Sequence, residues 1–377
     1  MSRKDLWALI VIAAALVAMM FVPSAEIVAY DTGRTFRARV VAVDDTNLSV
    51  VGSLEYGTEK LEVELLDGPL KGSRMRAENE LRAQPDVDKK FKSGDIAIVN
   101  WPQSEIKDTT ILKARDHWRI GWFFVMAGAF ALLLILFAGI TGVKAVLSFM
   151  FSCFAVWKML VPLCLKGWSA SLVSFATVCV LTFVIMYLVA GATKKGVVAF
   201  AGSMLGIASS LVLAHFFSSV MHVNGMTMPF VQALINSGYS SVDASDIFIG
   251  AIILGSSGAV MDLAMDIASG VCEVKYHNSS LGFKELFLSG LRMGRAVVGT
   301  MTTTLLLAYS GGYLTLLMVF AAQGTAPLVF LNSTIVSAET VKTFVGSFGL
   351  VLVAPFTAFI GALIYSRPSR GHADDAA

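Results

Sequence analysis

Beyond Trp118 the chain is almost continuously apolar, interrupted only by short clusters of Gly, Pro, Lys and Arg. A bilayer can take up that much apolar surface, and a stretch of about 20 such residues crosses its hydrocarbon core as a helix. The breaks leave runs at 121–139, 144–165, 169–191, 196–220, 247–270, 296–320 and 345–366. One more run, Leu6–Val22, follows the basic start MSRKDLW, and Pro23 spoils the cleavage site a signal peptidase would want after Ala25. Residues 1–30 therefore read as a signal anchor, and the chain as a polytopic α-helical membrane protein of about eight transmembrane helices. Composition agrees: 56% of the 377 residues are hydrophobic and 15% charged, against about 25% charged in a soluble domain.

Most of the charge lies between Asp31 and Arg119, where the pattern changes to a period of two. Phe36, Ala38, Val40 and Ala42 alternate with Arg37, Arg39 and Val41, and Leu61, Val63 and Leu65 alternate with Glu62 and Glu64. Such alternation marks half-buried strands. Further strands are expected at 73–79, 95–101 and 109–115, with DG, KG and SG turn signals between them. Residues 31–117 are thus expected to form a small all-β domain of OB-like or SH3-like barrel type. Its acids and bases nearly balance, and the whole chain carries a formal net charge of only +2. Neither a nucleic-acid partner nor a basic lipid-binding face is implied.

Loop charges orient the helices. With Arg3 and Lys4 on the cytoplasmic side, the same side receives Lys144, Lys194, Lys195, Lys275, Lys284, Arg292, Arg295, Arg367 and Arg370. The opposite side receives Lys166 and Lys342 among its short loops. The positive-inside rule then predicts a bacterial cytoplasmic (inner) membrane protein with both termini cytoplasmic. Residues 31–117 become extracytoplasmic, 118–366 a seven-helix transmembrane domain, and 367–377 a cytoplasmic tail. Segments 221–245 and 324–344 are too polar to span, and are expected at the interface or as re-entrant loops.

The sixth run holds the sharpest chemical signal, Asp262 and Asp266 within GAIILGSSGAVMDLAMDIASG. At helical spacing Ala251, Gly255, Gly258, Asp262, Asp266 and Ser269 share one face, while Ile252, Ile253, Val260, Leu263 and Ile267 offer the rest to lipid or packing. Small residues permit close approach of another helix. Each Asp at a helix centre costs on the order of 2.5–3.5 kcal/mol on insertion scales, so the carboxylates are expected to face protein or water. Two readings follow. Acids one turn apart can share a proton or exchange it for a cation; alternatively they are structural, hydrogen-bonded to Ser and Thr hydroxyls or paired with Arg295. Arg295 opens the next helix and is expected to reach the level of Asp266.

That next run carries Thr300, Thr302, Thr303, Thr304 and Ser310, then Gly311 and Gly312. Helical hydroxyls commonly bond the carbonyl one turn back, while a break at Ser-Gly-Gly would expose carbonyls able to hold an ion. Pro355 is expected to kink the last helix. Lys158 reads as a side chain that snorkels outward, and His215 and His222 as interfacial residues rather than metal ligands. The four cysteines follow no zinc or redox spacing, and no GxSxG, HExxH or nucleotide-phosphate motif occurs. No catalytic residue, cofactor or metal site is therefore assigned.

Three stretches together resemble the YibE/F-like bacterial membrane proteins: GAVMDLA at 258–264, GRAVVGTMTTTLLLAY at 294–309 and GSFGLVLVAPFTA at 346–358. The resemblance covers the chain from Trp118 onward, and the anchored β domain is similar to the family's layout. It implies a multi-spanning inner-membrane protein and no particular activity. Two positions depart from the family pattern: Ala296 stands where an acid commonly follows GR, and Thr303 where an Asn is usual. Asp262 matches the pattern, whereas Asp266 replaces a small hydroxyl residue. The expectation is a transporter or channel-like permease for a proton, cation or small solute, with Asp262 and Asp266 as its site. Arg295, Thr300, Thr303, Gly255 and Gly258 are candidate partners, and a homo-oligomer fits the small-residue faces. The alternative is a non-transporting sensor or scaffold whose β domain binds an envelope partner.

Overall fold

A computed structural model describes residues 34–85, 87–101 and 110–366. The expected signal anchor at 1–30 and the tail at 367–377 lie outside the described residues. The chain divides at Leu133/Leu134 into two compact units.

In the first unit the alternating segments form β1 (Thr35–Asp44), β2 (Leu48–Val51), β3 (Leu54–Leu65), β4 (Arg74–Arg82), β5 (Ile96–Asn100) and β6 (Leu112–His117). β1 pairs with both β3 and β5, and β6 links β5 to β4, so five strands close on themselves as a barrel with β2 as an added edge. All pairs are antiparallel except β4 with β6. The inward residues of the alternation, including Ala38, Val40, Val63, Ala97, Val99 and Leu112, are fully buried. Closure leaves few free strand edges, which suits a domain too small for two stacked sheets. Gly57 holds φ +129 where the β2–β3 hairpin leaves the barrel, and a Cβ there would overlap the Asn47 carbonyl.

Opposite charges face one another across β3 and β4: Lys60 opposite Glu78, Glu62 opposite Arg76, Glu64 opposite Arg74. Lys60, Glu62, Arg74, Arg76 and Glu78, with Asp44, line an open cleft of about 940 Å³. Inside, Glu59 is fully buried. It accepts from Asn79 Nδ2 at 2.8 Å and from the Phe91 amide at 3.3 Å, and Asn79 also donates to the Lys89 carbonyl. Burial outweighs these bonds and pushes the Glu59 carboxyl above the usual carboxylate range.

The described helices are α1 (Ile120–Ala138), α2 (Ile140–Leu165), α3 (Ala170–Ala190), α4 (Lys194–Val220), α5 (Val231–Asn236), α6 (Ala244–His277), α7 (Phe283–Gly312), α8 (Leu314–Ala322), α9 (Pro327–Asn332) and α10 (Thr334–Ser366). Six are long and apolar enough to cross a membrane, and α7 with α8 forms a seventh candidate bent by 62°. α2 contains a π-helical turn, Val156–Leu160, that includes Lys158. The break after α7 falls at Tyr313, just past Gly311 and Gly312, where those glycines weaken the helix. α10 runs unbroken through Pro355.

α4, α6 and α10 make the centre of the helical unit, with α7 against α10 and α3 against α6. Glycines set the spacing. A Cβ at Gly206 would stand 2.9 Å from Val353 Cβ and 3.1 Å from Val260 Cγ1, and one at Gly294 would stand 2.8 Å from Ala354 Cβ. Helices without side chains at the crossing pack backbone to backbone. Of the two polar segments, 221–245 contains α5 and the first residues of α6, and 324–344 contains α9 and the first turns of α10.

Candidate functional site

α6 is built to run long. Asp243 caps its first turn by accepting from the Ser245 amide at 2.8 Å, and no proline interrupts it. Lys275 in its last turn donates to the Ser279 carbonyl at 2.7 Å and the Leu281 carbonyl at 2.9 Å, complementing the negative helix end. The apolar side chains Ile252, Ile253, Val260, Leu263 and Ile267 are the buried ones, at the centre of the helical core. On the opposite row Ala251, Gly255, Gly258, Asp262 and Asp266 are exposed, and Ser269 is half-buried. Among the described residues nothing covers the carboxylates, contrary to one branch of the expectation.

Asp262 and Asp266 lie one turn apart, roughly 6 Å between Cβ atoms. With 34 residues at about 1.5 Å each, α6 is about 51 Å long, and Asp262 sits within about 3 Å of its midpoint. Asp266 lies about 6 Å nearer the basic end. No hydrogen bond or ion pair reaches either carboxylate among the described residues. Arg295 is exposed and forms no ion pair with Asp266, so the expected pairing within the chain is absent. α7 turns Gly294 into α10, which directs its neighbour Arg295 outward.

The threonines of α7 bond their own helix. Thr300 Oγ1 donates to the Val297 carbonyl at 2.9 Å and Thr303 Oγ1 to the Gly299 carbonyl at 3.0 Å. Thr300 and Thr303 are exposed, with Arg292, Arg295, Ala296, Gly299 and Thr304 on the same side of the helix. The structure thus brings together Gly255, Gly258, Asp262 and Asp266 on one face of α6. Arg295, Thr300 and Thr303 form a second exposed stripe on α7, making no contact with the carboxylates. The two helices are antiparallel neighbours: the Tyr309 hydroxyl lies over Gly255 and the Met293 thioether over Gly270.

Sequence reasoning missed Tyr309. Its hydroxyl is buried without a hydrogen-bond partner, 3.1 Å from where a Gly255 Cβ would stand and 3.4 Å from a Gly346 Cβ. The glycines admit the ring, so the signal was present as Gly255 and Gly346 with the tyrosine that ends LAY. Thr343 Oγ1 on α10 is likewise buried and unpartnered. Asp246 was also missed: it accepts from Ser169 Oγ at 2.8 Å and the Ser171 amide at 3.2 Å, capping α3 from the start of α6. Among the described residues no three His, Cys, Asp or Glu side chains gather as a metal site.

The family model described as YibE/F-like protein matches residues 126–367. The chain belongs to the YibE/F-like family. The matched region takes in α2 to α10 and leaves the β barrel outside it. No curated protein and no solved structure matches the chain. With the six or seven apolar helices, membership makes this YibE/F-like protein a multi-pass membrane protein.

Proposed function

We propose that this YibE/F-like protein is a transporter or channel-like permease of the bacterial inner membrane, with Asp262 and Asp266 as its proton or cation site. The observation that carries the reading is the exposed pair of carboxylates in the apolar middle of α6. Two such acids facing lipid would cost about 5–7 kcal/mol, so water, a cation or another polypeptide must meet them. With no basic partner among the described residues, protonation or cation binding is the direct way to neutralise them. The loop charges favour cytoplasmic termini and an extracytoplasmic barrel, with the signal anchor as an eighth span. The chain's partners are then the bilayer and the ion or small solute it moves. No motif supports an enzyme.

A second reading is favoured by the β barrel's open cleft of about 940 Å³ lined by alternating acids and bases. In that reading the barrel binds an envelope partner and the helices anchor a sensor or scaffold. Proteoliposome flux decides between the two. Asp262→Asn keeps shape and hydrogen bonding but cannot titrate. Proton- or cation-dependent flux should be abolished while folding and insertion persist. Full activity in Asp262→Asn at normal expression would remove the transport site and leave the scaffold reading.

A further inference from the structure

We propose that a second copy of this chain covers the acidic face of α6, with Arg295 of each copy meeting Asp266 of the other. The inference rests on the transport reading only for its consequence, since the covering itself follows from the surface. α6 exposes Gly255, Gly258, Asp262 and Asp266, and α7 beside it exposes Arg292, Arg295, Gly299, Thr300 and Thr303. Among the described residues nothing outside the helix itself lies within 4 Å of a Cβ built at Gly258 or at Gly299, so the approach to both helices is open at their backbones. Lipid tails cannot satisfy the acids, and neither can an apolar helix. The Leu6–Val22 run and α1 contain no charged or amide side chain, so covering the face with either would leave both carboxylates unpaired.

The pair of exposed faces is self-complementary at one level, with Asp266 on α6 and Arg295 on α7. The contacts of Gly270 with Met293 and Gly255 with Tyr309 fix the antiparallel register. In that register Arg295 and Asp266 lie within about 4 Å of the same depth. A twofold axis along the membrane normal preserves depth, so it brings each Arg295 opposite the other copy's Asp266, twice per dimer. Within one chain Arg295 points away from Asp266, which explains why neither finds a partner there. Asp262, nearer the middle, has no counterpart base and stays free in the covered site to hold a proton or cation. The permeation site is then incomplete in a single chain.

The test uses full-length protein in native membranes. In a background with Cys153, Cys164, Cys179 and Cys272 replaced by serine, Ala296→Cys should cross-link to a dimer with a short bis-maleimide. Leu172→Cys, 61% exposed on α3, should cross-link at least tenfold less. Adding Gly258→Leu, where the chain leaves open space, should abolish the Ala296→Cys dimer without lowering expression. Differently tagged Asp266→Arg and Arg295→Asp chains should each fail to self-associate and recover a mixed dimer when co-expressed, because both cross-copy pairs are then restored. If the cysteine-free background does not fold, bleaching-step counts of a fluorescent C-terminal fusion of the wild type should give two. Single bleaching steps, cross-linking no greater than at Leu172→Cys, or a cross-link to a protein of different mass would overturn the proposal. Monomers with Asp262-dependent flux would overturn the dimer alone. Dimers whose flux is unchanged by Asp262→Asn would overturn the transport site alone.

Discussion

Single residues carry the clearest energetics in the barrel. Glu59 is a carboxylate with no solvent exposure that holds Asn79 and the Phe91 amide. Because burial raises its folded pKa above the unfolded value, its contribution to stability is largest below the unfolded value of about 4.3. That contribution is lost as pH rises through the folded value. Relative to Glu59→Gln, the wild-type barrel should therefore lose thermal stability as pH rises from about 4 through the raised value, and the difference should be constant beyond it. A melting series of both variants reads this directly, and a difference that grows in the opposite direction would refute the assignment. Glu59→Leu should cost about 1–3 kcal/mol for each stranded donor at about pH 4, and less as the wild-type carboxyl ionises. The alternation around Glu59 was legible, yet its charge was not recognisable as buried. Glu59 continues the inward row of Leu61, Val63 and Leu65, and its partner Asn79 lies on another strand.

Elements show where hydropathy informs and where it stops. The strands of the barrel were readable because each has one buried face. β2 was not, since all but Leu48 of its residues are exposed and a two-residue period needs an inside. The apolar runs located the membrane helices, but α6, α7 and α10 extend well beyond them. α7 begins at Phe283 with Glu285 accepting from the Gly282 amide at 2.9 Å, a cap that holds a polar first turn no hydropathy window would include. Which face of α6 turns inward was also not decided by its pattern, since both rows are continuous and only packing against α4 and α10 distinguishes them. The crossings predict a contrast between two glycines. A Cβ at Gly202 would overlap Thr357, reaching its Cα at 3.0 Å, whereas Gly258 meets nothing. Gly202→Ala should lower detergent stability by about 1–3 kcal/mol. Gly258→Ala in the dissociated chain should stay within about 0.5 kcal/mol. Equal melting temperatures for the two would mean that α4 and α10 do not cross as described.

At the scale of the molecule, the division at Leu133/Leu134 predicts that the barrel stands alone. A soluble fragment of residues 31–119, which keeps β6 whole, should show a β-type circular dichroism spectrum and one cooperative melt, whereas a helical or unfolded spectrum would contradict the architecture. Reporter fusions after Arg370 and within 275–292 should read cytoplasmic, and one inside 31–117 extracytoplasmic. A cytoplasmic reading for the barrel would invert the assigned depths. Class, barrel and acidic pair were legible in the sequence because each is a local pattern; the openness of the acid face was not, because it depends on which helices the chain itself supplies. α6 and α10, of 34 and 33 residues, reach about 50 Å, well beyond a hydrocarbon core of about 30 Å. Their middles are held by glycine crossings to α4 and α7, so a thicker or thinner bilayer is met by sliding its boundary along these two long helices. The level of Asp262 relative to its neighbours on α4, α7 and α10 then stays put while acyl chains lengthen, and the mismatch falls on the shorter α1 and α3, of 19 and 21 residues, instead.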